Sequence, residues 1–508
     1  MPSRELEKEL KHHLNYDAFR TGQKAIIEDV MGGHDVMGVL PTGSGKSLCY
    51  QLPAQLLKGL TIVVSPLISL MTDQVKQLRA QHYKGSIALN SFMSPKERQE
   101  VLRSLGAYKL IYISPELLQN PVIMTAFKRQ EVSLFVIDEA HCISQWGHEF
   151  RPDYMRLSET IAHLGNPPVM ALSATATPQV QEDIIRVLNL PNIKRHIHPM
   201  DRQNIMFAVE QVFDHKDKMS RLKDLLEMYQ APTLIYFSSR QLTEEVALNL
   251  QAAFKDRRIA YYHGGMEQSD RLLIQQQFMN DQTDVICCTS AFGMGIDKSD
   301  IHLIVHYHFP TQLESYIQEV GRAGRDGKDS MAVLLYDSKD VHLSKRLLAN
   351  ELPDEQQLGN IISIIRNLST TSRKLPFDEE MILMTGLNEI QWRFLKHQLM
   401  KRDIITEDGR FIQSADDWVK TIDTILSHIQ QRMGVKEHKL KQMVDWMETT
   451  NCLRYELYRH FQDGYTKRTV NCCSNCGLQW DKRIISERKR ESNGENWHMK
   501  LRKRLLQQ

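Results

Sequence analysis

The seven residues Pro41–Ser47, PTGSGKS, combine the groups that a bound nucleoside triphosphate needs. Gly43 and Gly45 let the backbone N–H groups running from Thr42 through Ser44 curl around phosphate oxygens, Lys46 can neutralise the β/γ charge, and the Ser47 hydroxyl can ligate Mg²⁺. The strict form of this loop carries glycine where the chain has Leu40. Farther on, the apolar run before Asp138 ends on that residue and Glu139. Asp138 is placed to hold Mg²⁺, directly or through water, and Glu139 to orient and deprotonate an attacking water. Alone, such a pair reads as two exposed acids at a strand end. The phosphate loop upstream and His141 just after favour the chemical reading. Gln318 opens a third segment, QEVGRAGRDG, in which Arg322 and Arg325 are three apart and fall on one side of a helical turn. They can face a γ-phosphate presented by another lobe, and such an arginine finger is worth about 10³ to 10⁵ in rate. An arginine pair without the other parts would be a salt-bridged surface helix.

The carboxylates are covalently close to residues suited to gripping single-stranded nucleic acid. The stretch Val136–Tyr154 passes from strand to acids to a polar loop carrying Trp146, Phe150, Arg151 and Tyr154. Its many polar neighbours leave little room for an apolar core face. Weaker signals come from TSAFGMGIDK, where Thr289 and Ser290 follow a strand and can take sugar-phosphate contacts, from SPLISL and ISPE at matching strand ends, and from SATA, Ser173–Ala176, which could hydrogen-bond back to the acidic pair. Near the C-terminus, Cys452, Cys472, Cys473 and Cys476 supply four thiolates for tetrahedral Zn²⁺.

The elements that must position these groups are legible as periodicity. DVMGVL, LTIVVS, KLIYIS, LFVIDE and PPVMALS each fit a buried strand and alternate with amphipathic stretches, which predicts a doubly wound parallel sheet. PTLIYFS, RIAYYH, DVICCTS, IHLIVHY and MAVLLY form a second series, so the fold class is α/β with two lobes and a cleft between them. Beyond Tyr336 amphipathic helices take over. A cap at Asn388 with Gln391 three later, an apolar stripe through Ile390, Phe394, Leu395 and Leu399, and a hairpin signal at Asp408-Gly409 predict a winged-helix-like unit with Glu389–Lys401 in the recognition position. The expected division is 1–200, 201–345, 346–425, 426–480 for the zinc-binding helical module, and 481–508 for a tail with nine Lys/Arg against three Glu after Asp481.

With 508 residues the chain exceeds one core, and its 42% apolar and 25% charged composition is that of a globular protein. A net charge of +2 excludes a wholesale nucleic-acid coat, so any grip must come from local grooves. Neither a signal peptide nor a membrane-length apolar run is present, so a cytoplasmic protein without membrane partners is expected, nucleoid-associated if bacterial. In a reducing compartment, clustered cysteines favour a metal over disulfides.

With these segments in this order, residues 10 to 340 resemble superfamily 2 helicases and, more narrowly, the RecQ family of ATP-dependent DNA helicases. The resemblance implies two tandem RecA-like lobes, ATP and Mg²⁺ as cofactors with zinc in a later module, and single-stranded and duplex DNA as partners. Unwinding in the 3′ to 5′ direction, in repair or recombination and beside repair proteins, is also implied. YDAFRTGQ looks like the family's adenine-recognition motif, which makes Gln23 the reader of the adenine edge and Tyr16 and Arg20 its sandwich. SQWGHEFRPDY resembles the aromatic-rich loop, through which Trp146, Phe150 and Arg151 sense single-stranded DNA and signal to Glu139. The Cys-Cys-x-x-Cys triplet with one distant cysteine is similar to the zinc modules of some members. Only 32 residues follow Cys476, which implies a short form without the C-terminal winged-helix and helical domains of larger members. Alternatives are an RNA helicase or duplex translocase, since DEAH is shared with RNA-acting enzymes, and a DNA-binding or annealing protein with a vestigial motor.

Overall fold

Buried strands build two sheets in succession. In the computed structural model, residues 3–144, 151–293, 298–406, 408–412, 418–462, 468 and 471–479 are described. Lobe 1 holds β1 Val36–Val39, β2 Leu60–Val64, β3 Ser86–Leu89, β4 Leu110–Ile113, β5 Val132–Ile137, β6 Val169–Ser173 and β7 Lys194–Ile197. Their order is β3-β4-β2-β5-β6-β1-β7, with the paired strands parallel. Alternation along the strands sends Ile62, Ile111 and Phe135 into one core and Val63, Tyr112 and Leu134 into another, so both faces are covered by helices.

Lobe 2 holds β8 Ile205–Gln211, β9 Thr233–Tyr236, β10 Ile259–Tyr262, β11 Val285–Cys288, β12 Leu303–His306 and β13 Ser330–Tyr336. These are also parallel, in the order β10-β11-β9-β12-β13-β8. The predicted α/β class with two doubly wound parallel sheets is therefore what the chain adopts. Three strands absent from the periodicity reading are β3, β7 and β8, and each lies at a sheet edge.

Past lobe 2, helices Glu355–Thr371, Asp378–Thr385 and Glu389–Lys401 share one apolar core. The last begins with the expected capping box, Asn388 with Gln391. Its stripe differs from expectation: Ile390 faces solvent and Trp392 is buried, with its Nε1 donating to Asp378 Oδ1 at 2.9 Å. The Asp408-Gly409 turn carries isolated antiparallel bridges, Ile405 with Phe411 and Lys374 with Arg410. A 30-residue helix, Trp418–Met447, then runs continuously across the boundary expected at 425/426. It leads into Leu453–Tyr458 and the cysteine knuckle. Among the described residues no helix is long and apolar enough to cross a membrane. The tail 481–508 lies outside the described residues.

Candidate functional site

Because parallel strands present all their C-terminal ends to one edge, loops after β1, β5 and β6 converge there. β1 feeds the phosphate loop, in which Gly43 and Gly45 both take φ of +77°, and Leu48–Leu56 follows as the helix whose N-terminal dipole faces the loop. Leu40, standing where the strict pattern has glycine, is fully buried in the core and its N–H donates to Ser173 O at 3.1 Å.

β5 ends in Asp138 and Glu139. Glu139 has φ +49° and ψ +48°, a left-handed conformation unusual for a residue with a side chain. Its carboxylate lies 3.8 Å from Lys46 Nζ and 3.4 Å from His141 Nδ1. His141 is fully buried and its Nδ1 also meets Ser173 Oγ at 3.1 Å, so the SATA segment reaches the acids through an imidazole. Burial, and then the neighbouring Glu139 charge, push the Asp138 carboxyl up to about 7. Buried Asp138 and half-buried Glu139, lining the same cavity as the Ser47 hydroxyl, are a donor set that a hard divalent cation fits.

Lobe 2 supplies the opposite wall. Thr42, Gly43, Gly45, Lys46, Ser47, Asp138 and Glu139 line one cavity with Gln318, Arg322 and Arg325. Tyr50, Leu70 and Gln74 complete it. The lobes approach so closely that a Cβ on Gly321 would fall 1.7 Å from Thr42 Oγ1, which makes glycine obligatory at this arrangement. Arg322 is buried beside Tyr236, whereas Arg325 lies over Gly43, whose added Cβ would meet Arg325 Cγ at 2.9 Å.

Other candidate residues are distributed as follows. Gln23 is buried, its Nε2 donates to Ser44 O at 2.8 Å and Gly45 O at 3.0 Å, and its Oε1 accepts from Arg20 N–H at 2.8 Å. Reading an adenine edge therefore requires Gln23 to exchange a bond that here shapes the phosphate loop. Arg20 donates to Gly43 O at 2.6 Å and Tyr16 is exposed. Trp146 and Phe150 lie outside the described residues. Arg151 lies within reach of Glu116 at 3.3 Å, and its N–H donates to Cys142 O at 3.0 Å. Tyr154, fully buried, donates its hydroxyl to Asp138 O at 3.2 Å. Thr289 is half-buried and Ser290 exposed after β11.

The four cysteines form the second centre. Their sulfurs all lie within 4.8 Å of one another, with Cys452 to Cys472 at 3.7 Å and Cys452 to Cys473 at 4.0 Å. Tetrahedral zinc with Zn–S bonds of about 2.3 Å needs sulfurs roughly 3.8 Å apart, so the set fits the ion. The knuckle docks on lobe 2: Phe207 N–H donates to Cys472 O at 3.3 Å, and Ser474 Oγ accepts from Val209 N–H at 3.4 Å.

Sequence reasoning missed Arg202, Asn204 and Arg454, which join the two lobes and the zinc module. Arg454 lies two residues after Cys452 of the cysteine cluster, and no motif surrounds the first two. The only pointer was that DRQN lies between the two strand series.

Residues 20–184 match the DEAD/DEAH box helicase model, 217–327 the helicase conserved C-terminal domain, and 410–477 RecQ zinc-binding. The chain is 40% identical over 475 residues to a probable ATP-dependent DNA helicase RecS of Bacillus subtilis, covering 93% of this chain and 92% of that one. It is 41% identical over 350 residues to ATP-dependent DNA helicase RecQ of Haemophilus influenzae, covering 68% of this chain and 56% of the relative. A solved structure of Mss116p bound to single-stranded RNA and AMP-PNP shares the fold at TM-score 0.57 and 17% identity, over 90% of this chain and 94% of that one. Phosphate loop, acid pair, facing arginines and cysteine knuckle thus occur in one chain that also matches a RecQ zinc-binding model and a helicase relative over more than nine-tenths of both lengths: it belongs to the RecQ family of ATP-dependent DNA helicases.

Proposed function

We propose that the chain hydrolyses ATP in the cleft between its lobes and uses the resulting opening and closing to translocate 3′ to 5′ on single-stranded DNA and unwind duplex ahead of it. The observation that supports this most is the single cavity walled by Lys46, Asp138 and Glu139 on one side and Gln318, Arg322 and Arg325 on the other. Lys46 neutralises the β/γ-phosphates, while backbone amides from Thr42 to Ser47 cradle them. Ser47 and Asp138 would hold Mg²⁺, which supplies charge neutralisation to the transferred phosphoryl group. Glu139 takes the proton of the attacking water, with His141 and Lys46 fixing its carboxylate. Arg325, over the phosphate loop, and Arg322, lining the same cavity from lobe 2, stabilise charge at the γ-phosphate when the lobes are closed.

Tyr16, Arg20 and Gln23 bind the base. Trp146, Phe150 and Arg151 contact single-stranded DNA, with Thr289 and Ser290 meeting its backbone from lobe 2. Tyr154 is the link back to the acids, through its bond to Asp138 O. The units 1–200 and 201–345 are the motor, 346–425 a winged-helix-like DNA-binding unit, 426–480 the zinc module, and 481–508 a basic arm touching phosphates. Eight thiols, four of them gathered as zinc ligands, suit a reducing compartment and support a cytoplasmic enzyme of DNA repair or recombination that works beside repair proteins.

Turnover measured with no nucleic acid, single-stranded DNA, duplex DNA and RNA tests the reading. Stimulation by single-stranded DNA well above that by RNA is expected; equal or stronger stimulation by RNA would overturn it.

A further inference from the structure

The link between the lobes does more than connect them. Between β7 and β8 lies Arg202, whose Nη1 donates to Thr42 O at 2.9 Å and to Gly321 O at 3.3 Å. Its Nη2 donates to Gly324 O at 2.6 Å, Ala323 O at 3.2 Å and Asn204 Oδ1 at 3.4 Å. One acceptor belongs to the phosphate loop of lobe 1. Three belong to the turn of lobe 2 that carries Arg322 and Arg325. A guanidinium has the planar fork and number of donors to hold carbonyls of separate segments at once, and an ammonium does not. Asn204 reinforces the same turn, donating to Gly324 O at 2.8 Å and Lys328 O at 2.7 Å.

The backbone from which Arg202 reaches is itself held from the zinc module. Arg454, two residues after Cys452, is fully buried and ion-paired with Asp201. Its Nη1 also donates to Arg202 O at 3.0 Å, its Nη2 to Ile205 O, and its guanidinium stacks 4.9 Å over the Phe207 ring. Phe207 N–H in turn bonds Cys472 O. A continuous set of contacts therefore runs from two zinc ligands to the mouth of the nucleotide cavity.

We propose that Arg202 is a positioning residue for ATP hydrolysis: it seats the Arg322–Arg325 turn against the phosphate loop, and the zinc module, through Arg454 and Asp201, fixes the segment from which it does so. The proposal rests on the reading that this cleft hydrolyses ATP. It accounts for the placement of a charged, half-buried side chain among carbonyls of both lobes, at a point where no nucleotide atom is required.

The test uses the zinc-loaded full chain, comparing wild type with Arg202→Lys, Arg202→Gln, Asp201→Asn and the Asp201→Asn/Arg202→Gln double variant. The readouts are DNA-stimulated kcat, affinity for a fluorescent ATP analogue, zinc content and Tm. In both Arg202 variants kcat falls at least about tenfold while nucleotide affinity stays within about threefold, because the loss is of transition-state geometry and not of ground-state binding. Zinc content remains that of wild type, and Tm falls by only the few degrees that the lost hydrogen bonds imply, leaving the chain folded at the assay temperature. Asp201→Asn lowers kcat by a smaller factor, and the double variant is no slower than Arg202→Gln alone, since both act through one contact. Arg202 variants with kcat within about twofold of wild type would overturn the proposal, as would losses that multiply in the double variant or that merely track a lowered Tm. A wild-type chain without DNA-stimulated turnover would instead sink the reading on which the proposal rests.

Discussion

Glu139 carries the account at the scale of single residues. A left-handed backbone is held at a non-glycine position only where the surroundings over-determine it, at about 1–3 kcal/mol, and such positions concentrate at active sites. Here Lys46, His141 and the Asp138 carboxylate that accepts the Glu139 N–H at 3.0 Å supply that constraint. Glu139→Gln is expected to lower single-turnover hydrolysis by about 10² to 10⁴ while nucleotide still binds, and near-normal hydrolysis would remove the general-base role. His308 makes a prediction about stability. Burial, with Lys218 and His215 nearby, pushes its imidazole down to about 3, and its Nδ1 accepts the Ser238 N–H at 3.2 Å, as a neutral ring does. Because the folded value is depressed, the unfolded chain binds the extra proton first. The contribution is complete above about pH 6.5 and is lost at about 1.4 kcal/mol per pH unit as pH falls below it. Urea unfolding between pH 7 and 5 should show a shallower pH slope in His308→Gln than in wild type; equal slopes would contradict the assignment. Chemistry at this scale was largely legible, since phosphate loop, acids and arginines announce themselves by residue type and spacing. Gln23 shows the limit: its sequence context fits a base reader, and the bonds that its Nε2 donates here to the Ser44 and Gly45 carbonyls are ones that no one-dimensional pattern encodes.

Among the elements, every strand in a sheet interior was readable, and the three that were missed, β3, β7 and β8, all lie at edges, where only β10 was read. β7, Lys-Arg-His-Ile, is largely exposed and has no apolar signal, and β3, Ser-Ile-Ala-Leu, offers only two large apolar residues. β8 is apolar enough, but it lies just after the interlobe link and closes the second sheet's edge. That edge would offer unpaired backbone groups to other chains, and the knuckle covers it through Cys472 O, Ser474 and the Phe207–Cys473 bridge. Cys452→Ser should therefore lose zinc and destabilise the C-terminal module, structural zinc being worth about 10–16 kcal/mol of folding free energy in small domains. Metal analysis with limited proteolysis checks this: a zinc-free variant with wild-type yield and protease resistance would contradict it, and nucleotide binding by lobe 1 should survive. In the helix Glu389–Lys401, Arg393 is paired with Glu389 at 2.6 Å and Lys396 with Asp378 at 2.8 Å. Its outward charges are thus partly satisfied within the protein, a fact that position in a helix–turn–hairpin pattern does not reveal.

For the whole molecule, the claim is that three bodies work as one machine: two lobes that trap a nucleotide, and a zinc-stapled arm that holds the link between them. Tandem sheets could be read from two series of apolar runs. Their mutual approach at Gly321 and Thr42, and the Arg454–Asp201–Arg202 connection, could not, because they join residues more than a hundred positions apart through side chains with no local signature. Coupling to DNA is assigned to the aromatic loop, whose C-terminal flank is tied to the acids by Tyr154. Trp146→Ala is expected to leave nucleotide affinity intact while abolishing stimulation by single-stranded DNA, stacking being worth about 1–3 kcal/mol per base; equal loss of both would make the loop purely structural. The most direct test is strand displacement on duplexes with a 3′ or a 5′ single-stranded tail, by wild type and Lys46→Ala, with ATP and Mg²⁺. The account predicts displacement of the 3′-tailed duplex by wild type alone. Displacement by Lys46→Ala, or none by a wild-type chain that hydrolyses ATP, would contradict it.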